Sequence, residues 1–305
     1  MDHTDVGECE AGTDRPQGPS RKGNPTMNAV SKQQAGPPAA RPRRRGKALR
    51  ISLLALAAVF VLLAGFFLAY TADFSRATPT ALAALTSDAS VKVVEVPSGY
   101  AFVPVGASRG IGLVVYPGGK VDEKAYAPLC RSLAAEGWPV ALVRMPFKLA
   151  VFGIGLGKDG ISDLETALTV AGQPLPSRYV ATGHSLGGVM AARYALTDAA
   201  RFAGVALWAS YADQDLRPAG FSALTVYGSE DRVLNLDALE KARVNLPADA
   251  TTVVVPGGNH AGFGDYGAQK GDGTASVTGE RQRAAVVAAM TPFLEDLETA
   301  KGGQG

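Results

Sequence analysis

Residues 180–195, VATGHSLGGVMAARYA, place Ser185 between Gly183 and Gly187. Within it, GHSLG at residues 183–187 follows the apolar run RYVAT and opens the Ala-rich stretch VMAARYAL, which has helical composition. A sharp turn from strand to helix exposes a serine hydroxyl, and glycines on both sides remove the β-carbons that would collide there. Ser185 is therefore the candidate nucleophile. Leu186, at the start of the helix, can offer its backbone N–H to a developing oxyanion.

The pattern G-x-S-x-G occurs twice, because GASRG at residues 106–110 also matches it. This second match joins two predicted strands, so we expect Ser108 to be a hairpin-turn serine. The sequence context therefore favours Ser185 over Ser108 as the nucleophile.

A serine nucleophile needs a base, and the chain has three histidines. His3 lies near the N-terminus, and His184 adjoins Ser185 in the turn, where its side chain should point elsewhere. His260 lies in PGGNHAGFGDYG, directly after the last predicted strand TTVVVP. We therefore expect His260 to be the general base.

The third catalytic group must be an acid that fixes the histidine tautomer. Asp231 in YGSEDRV follows the predicted strand ALTVYG and completes the chain order Ser, Asp, His. Asp213 and Asp215, which follow GVALWASY, are the alternatives.

A second oxyanion donor is expected from the loop YPGGKVD, which follows the predicted strand IGLVVY. Pro117 has no N–H, so the prediction is Gly119, with Gly118 supporting the turn. The alternative is a plain Pro-Gly-Gly turn without a catalytic role.

From residue 91 onward, short apolar or β-branched runs alternate with amphipathic stretches, which indicates an α/β fold. The strands are nearly continuous in apolar residues, so we expect a mainly parallel sheet covered on both faces, with functional groups at its carboxyl edge. The predicted strands are VKVVEV, YAFVPV, IGLVVY, PVALVR, RYVATG, GVALWA, ALTVYG and TTVVVP, the first two forming a hairpin. The predicted helices are 124–136, 158–171, 186–197, 237–245 and 280–299.

The motifs YPGG, GHSLGG, GSEDRV and GGNHAGFGDYG occur in this order. Residues 91–299 thereby resemble a serine hydrolase of the α/β-hydrolase superfamily, and its small, lidless branch related to dienelactone hydrolases and bacterial esterases. The resemblance implies an eight-stranded sheet and a triad of Ser185, Asp231 and His260. This chain departs from the superfamily in lacking a His-Gly pair in the oxyanion loop. It has serine where dienelactone hydrolases use cysteine, which favours ester or related acyl substrates.

The apolar run at residues 49–70 is long enough to cross a bilayer as a transmembrane helix. Arginines cluster just before it, so we expect a cytoplasmic N-terminus and an extracytoplasmic catalytic domain at the cell membrane. This gives a disordered basic tail at 1–48, a linker at 71–90 and a catalytic domain at 91–299. Signal-peptide cleavage at SRA, residues 75–77, is the alternative. In the anchored topology, Cys9 and Cys130 lie on opposite sides of the membrane, which excludes an intrachain disulfide between them.

Basic residues concentrate near the N-terminus, where residues 1–50 hold ten of the 30 Lys and Arg and five of the 28 Asp and Glu. The remainder is not basic, so a nucleic-acid partner is not expected. Asp265 and Asp272, in GDYGAQKGDG, do not match the calcium-loop pattern. We expect that segment to be a loop bordering the cleft, and we predict no metal site.

The sequence thus predicts a membrane-anchored carboxylic ester hydrolase acting on small acyl substrates through an acyl-enzyme, without a cofactor. Only residues 210–222 join GVALWA to ALTVYG, too few for a lid domain. The predicted substrate pocket is apolar, formed by Met145, Phe147, Phe152 and Phe263. An acyl transferase, or a non-catalytic binding or scaffold protein on the same fold, is the alternative. No feature of the sequence indicates an oligomeric state.

Overall fold

The computed structural model of the chain describes Gly36 and residues 45–300. Most of the tail predicted over residues 1–48, including His3 and Cys9, lies outside these residues. The chain divides into two units, Met1–Ala55 and Leu56–Gly305. In the first unit, the described residues beyond Gly36 belong to helix α1, which spans Arg45–Ala72 and thus extends beyond both ends of the predicted helix at 49–70. By length and composition, Gly46–Ala72 is a candidate membrane span.

The second unit contains one sheet of eight strands, as the family resemblance implies. The strands are β1 Val91–Val96, β2 Gly99–Pro104, β3 Ile111–Tyr116, β4 Val140–Val143, β5 Arg178–His184, β6 Phe202–Trp208, β7 Ser222–Gly228 and β8 Thr251–Val255. Their order in the sheet is β1-β2-β4-β3-β5-β6-β7-β8; β1 and β2 are antiparallel to their neighbours, and the other six strands are parallel. The predicted α/β fold with a mainly parallel sheet is confirmed.

Helices cover the sheet on both faces. The remaining helices are α2 Pro79–Ala83, α3 Ala127–Ala135, α4 Gly157–Val170, α5 Leu186–Thr197, α6 Leu236–Ala242 and α7 Gly279–Thr299. Two apolar clusters form the core, one with side chains from α3 and α7 and the other with side chains from α4 and α5. Both faces of the central strands are therefore buried, which explains their continuous apolar sequences.

Ser108 is not in a hairpin, and that expectation is wrong. β4 lies between β2 and β3 and pairs with both of them, so the strands that Ser108 connects are not neighbours. The crossover through α3 inserts β4 at this position, which adjacency along the chain does not reveal. Ser108 precedes β3, where its N–H donates to Oε1 of Gln173 at 3.2 Å, and so lies at the amino edge of the parallel strands.

The segment predicted as a linker, 71–90, is fixed to the sheet domain by hydrogen bonds. Ser75 forms a parallel bridge with Val121, in which its N–H donates to the carbonyl of Lys120 at 2.8 Å. Thr78 caps α2 and also donates its hydroxyl proton to Oδ1 of Asp265 at 2.8 Å. These contacts connect the end of α1 to loops at the carboxyl edge of the sheet.

Candidate active site

Ser185 occupies a strained turn between β5 and α5. Its φ of 52° and ψ of −125° lie in a region that residues other than glycine rarely adopt. A β-carbon on Gly183 would lie 2.6 Å from the carbonyl carbon of Gly187, and one on Gly187 would lie 2.3 Å from the carbonyl oxygen of Tyr116. Only glycine fits at either position, so the spacing of this motif is a packing requirement of the turn.

Hydrogen bonds from β6 and the loop after it fix the backbone of this turn. The N–H of Ser185 donates to the carbonyl of Trp208 at 2.9 Å, and the hydroxyl of Ser210 donates to the carbonyl of Ser185 at 2.7 Å. Ser210 is buried, and a β-carbon on Gly188 would meet its hydroxyl at 2.5 Å. The sequence offers no signal for Ser210, because its partner is a backbone atom on another element.

His260 and Asp231 form a buried pair at the carboxyl edge of the sheet. Nδ1 of His260 lies 2.8 Å from Oδ2 of Asp231, and the two side chains are 2% and 0% exposed. The other carboxylate oxygen of Asp231 accepts from the N–H groups of Val233 and Leu234 at 2.9 and 2.8 Å. The carboxylate therefore holds Nδ1–H and leaves Nε2 of His260 as the atom that can accept a proton.

The alternative acids are engaged elsewhere. Asp213 binds Arg193, whose Nε lies 3.0 Å from its Oδ1, and Asp215 binds Arg217 at 2.7 Å. Both pairs are partly exposed at the surface. Of the three candidates, Asp231 is the one that the fold brings to His260.

Asp272 organises the loop that carries His260. Its Oδ2 accepts from the N–H of Ala261 at 2.8 Å, and its Oδ1 lies 3.3 Å from the N–H of His260. Gln282, which is buried, forms two hydrogen bonds with the backbone of Asn259 at 3.0 and 2.7 Å. Sequence reasoning missed Gln282 and treated Asp272 only as a member of a loop bordering the cleft.

The predicted oxyanion donors lie beside each other. A β-carbon on Gly119 would be 3.1 Å from Cδ2 of Leu186, so the loop after β3 lies against the start of α5. Among the described residues, neither the N–H of Gly119 nor that of Leu186 has a hydrogen-bond acceptor. Two N–H donors without an acceptor next to the candidate nucleophile are suited to bind an anionic oxygen.

A buried chain of hydrogen bonds fixes this loop to the turn at Ser185. The N–H of Gly118 donates to the hydroxyl of Tyr126 at 3.0 Å, and that hydroxyl lies 2.8 Å from Nδ1 of His184. The same hydroxyl thus bridges the loop after β3 and His184, whose other ring nitrogen, Nε2, is buried without a hydrogen-bond partner among the described residues.

His184 is neutral in the folded chain. Burial lowers its pKa well below 6.5, and the neighbouring His260, whose ring centre lies 4.4 Å away, acts in the same direction. Its side chain points away from the cavity, as expected from its place in the turn, and stacks on Phe263 with ring centres 5.5 Å apart.

Ser185 and His260 line the same cavity of about 250 Å³. The predicted apolar pocket residues do not line it: Met145 and Phe263 are buried in the core, and Phe147 and Phe152 are about half exposed. The loop after β4 folds into short 3-10 turns, with Phe147 at a φ of 54°, which the sequence did not indicate. The other lining residues come from α5 and the loops after β6 and β7: Leu186, Val189, Ala209, Ser210, Tyr211, Val233, Leu234 and Asn235.

Comparisons with known proteins identify a family for this chain. The crystal structure of dienelactone hydrolase from Anabaena variabilis is similar, with a TM-score of 0.47 and 16% identity over 66% of this chain and 96% of that chain. No curated protein matches the chain. The model of the alpha/beta hydrolase family matches residues 112–284, more than half of the sequence. The chain belongs to the alpha/beta hydrolase family.

Proposed function

We propose that the chain is a serine hydrolase in which Ser185 is the nucleophile, His260 the general base and Asp231 the acid that orients the base. The observation that carries the proposal is the buried pair of His260 and Asp231 at 2.8 Å, next to a cavity that Ser185 and His260 both line. The strained turn at Ser185 supports the same assignment, since stored strain of this kind is common at nucleophiles.

The first half of the reaction forms an acyl-enzyme. Oγ of Ser185 attacks the acyl carbon while Nε2 of His260 takes the hydroxyl proton, and Asp231 stabilises the imidazolium without being protonated. The tetrahedral intermediate carries its negative charge on the former carbonyl oxygen, which the N–H groups of Leu186 and Gly119 bind. The bond to the leaving group then breaks, and His260 gives that group the proton.

The second half releases the acid. A water molecule attacks the acyl carbon as Nε2 of His260 takes one of its protons, and the same two N–H groups bind the second oxyanion. The ester bond to Ser185 breaks, its oxygen regains the proton from His260, and the carboxylic acid leaves. No step requires a cofactor.

Carboxylic esters are the substrates that this site suits best. A serine alkoxide attacks esters readily once an imidazole removes its proton, and the small cavity of about 250 Å³ accommodates a short acyl chain. The residues between β6 and β7 form only one 3-10 turn, Arg217–Ala219, so the cleft has no separate lid domain there.

The proposed enzyme is anchored in the cell membrane by α1. The most apolar 18-residue window of Gly46–Ala72 has a mean hydropathy of 2.8, and none of that window is buried against protein. Arginines at 41, 43, 44 and 45 precede it and favour a cytoplasmic N-terminus. Protease added outside intact cells should then digest the catalytic domain, whereas protection of the domain, or its recovery as soluble cytoplasmic protein, contradicts this topology.

Hydrolysis of p-nitrophenyl acetate by the detergent-solubilised full chain tests the proposed activity. Ser185→Ala should abolish turnover, and Ser108→Ala, the matched variant of the other G-x-S-x-G serine, should leave it unchanged. Release of p-nitrophenol without free acetate when an alcohol is added indicates an acyl transferase instead. A complete lack of turnover on several esters favours a binding or scaffold protein.

A further inference from the structure

Three large apolar side chains on one loop are exposed near the candidate active site. Phe147, Val151 and Phe152, which we call the apolar rim, are 48%, 43% and 53% exposed. The loop that carries them follows β4 and reaches the oxyanion loop, since a β-carbon on Gly119 would lie 3.7 Å from Cδ2 of Leu149. Grouped apolar exposure of this kind is typical of a surface that contacts lipid or protein.

The apolar rim contacts the end of the candidate membrane span. The ring centre of Phe67 lies 5.2 Å from that of Phe147 and 5.6 Å from that of Phe152, both in edge-to-face geometry. Phe66, the preceding residue on α1, is 72% exposed. One face of α1 therefore packs on the rim while a neighbouring face stays open.

The position of Phe67 on α1 sets the depth of this contact. The 27-residue span is about 40 Å long and exceeds a hydrocarbon core of ~30 Å by about 5 Å at each end. Phe67 lies five residues before Ala72, which is about 7.5 Å along the helix axis. The rim therefore meets α1 at the level where hydrocarbon and headgroups adjoin.

A short tether holds the same edge of the domain close to the membrane. Only Asp73 and Phe74 separate α1 from Ser75, whose backbone bridges to Val121 next to the oxyanion loop. The three residue steps from Ala72 to Ser75 cover at most about 11 Å even when fully extended, so Val121 lies close to the end of the span. This limit depends on backbone hydrogen bonds and is independent of the aromatic contacts.

Basic and aromatic side chains surround the tether. Nζ of Lys120 lies 4.2 Å from the ring centre of Tyr70, and Nζ of Lys148 lies 5.3 Å from that of Phe74. The guanidinium of Arg76 lies 4.8 Å from the same phenylalanine ring. Aromatic rings next to lysine and arginine are typical of the zone between lipid and water.

We propose that the apolar rim docks into the surface of the bilayer that α1 crosses, so that the edge of the sheet carrying Ser185 and His260 faces the membrane. The inference rests on the proposed function in taking α1 as a membrane anchor. The occupant of the rim is lipid rather than a protein, because the rim is continuous with a helix already in lipid. The candidate cleft then opens beside the headgroups.

Tryptophan fluorescence of the full chain in vesicles tests this docking. The natural residues Trp138 and Trp208 are fully buried, so wild-type protein supplies the background emission. Phe152→Trp and, as a second reporter, Val151→Trp are compared in phosphatidylcholine vesicles with and without bromine on the acyl chains, which quenches tryptophans in contact with lipid. Val170→Trp is the matched control in water, because Val170 is 76% exposed at the end of α4, before the amino edge of β5. Leu62→Trp reports on α1 itself.

Docking predicts that brominated lipid removes most of the added emission of Phe152→Trp, as it does for Leu62→Trp, and little of that of Val170→Trp. The proposal is overturned if Leu62→Trp is quenched while Phe152→Trp and Val151→Trp behave like Val170→Trp. Lack of quenching in Leu62→Trp shows instead that α1 is not in the bilayer. In that case the membrane part of the proposed function fails, and the docking fails with it. Circular dichroism of each variant confirms that the sheet domain is folded.

Discussion

Nδ1 of His260 lies 2.8 Å from Oδ2 of Asp231, and both side chains are almost completely buried. Because Oδ1 of the same carboxylate accepts two backbone N–H groups, the acid has one orientation available. This arrangement fixes the histidine ring relative to the cavity and determines which of its nitrogen atoms is available there.

Replacing this carboxylate tests its role in orienting the base. Asp231→Asn should lower kcat by about 10⁴-fold, because an amide that keeps the backbone hydrogen bonds presents an N–H to Nδ1 and favours the wrong tautomer. Steady-state hydrolysis of a short p-nitrophenyl ester measures the effect. Asp213→Asn is the matched control, and its kcat should stay near that of wild type; a greater loss in this variant would place the acid at Asp213.

The hydroxyl of Tyr126 is expected to position the oxyanion loop through Gly118. Tyr126→Phe leaves the N–H of Gly118 without its acceptor and Nδ1 of His184 without its hydrogen-bond partner. A shifted donor at Gly119 weakens binding of the transition state, so kcat should fall by up to ~10²-fold with little change in KM.

Tyr179→Phe is the control for this prediction, since it also removes a hydrogen-bonded hydroxyl, here one that donates to Glu165 at 2.9 Å on another part of the sheet. It should lower the melting temperature without lowering kcat. Equal losses of kcat in the two variants would indicate a general effect on folding rather than positioning of the loop.

Neutral, buried His184 should make the stability of the fold depend on pH. Its pKa is lowered well below 6.5 by burial, so below about pH 6.5 the unfolded chain binds a proton that the folded chain does not. The free energy of unfolding then falls as the pH decreases from 6.5, and this contribution is constant above it. In His184→Gln the melting temperature should decline less between pH 7 and pH 5 than in wild type, and equal declines would contradict the assignment.

The size of the cavity predicts a preference for short acyl chains. Each methylene that fits is worth about 0.8 kcal/mol, so kcat/KM should rise over the first carbons and stop rising when the chain leaves the cavity of about 250 Å³. We expect an optimum at roughly two to six carbons. A series of p-nitrophenyl esters measures it, and an optimum at much longer chains would contradict a site formed by this cavity.

Much of the fold could be predicted because its strands are buried on both faces. Val91–Val96 and Ile111–Tyr116 begin and end where their apolar runs do, and α5 spans the predicted residues. The order of β3 and β4 could not be predicted, because it depends on a crossover and not on local pattern.

Some residues of the candidate site could likewise be predicted from the sequence, and others could not. Ser185 could be selected from local context and His260 from the scarcity of histidine, since both signals lie in the sequence. The role of Tyr126 depends on its contact with the side chain of His184, 58 residues along the chain, and that of Gln282 on the backbone of Asn259, 23 residues away, so neither leaves a local signal. The placement of the Phe147 side chain could not be predicted either, because it follows from a left-handed backbone conformation that phenylalanine disfavours.

Covalent labelling of the full chain with a fluorophosphonate tests the central claim most directly, since such reagents react with serines that a neighbouring base activates. The account predicts stoichiometric labelling, a phosphonylated peptide that contains Ser185, and loss of labelling in Ser185→Ala but not in Ser108→Ala. Lack of labelling in the folded wild-type chain, or a label on any other residue, would contradict the assignment of Ser185 as an activated nucleophile.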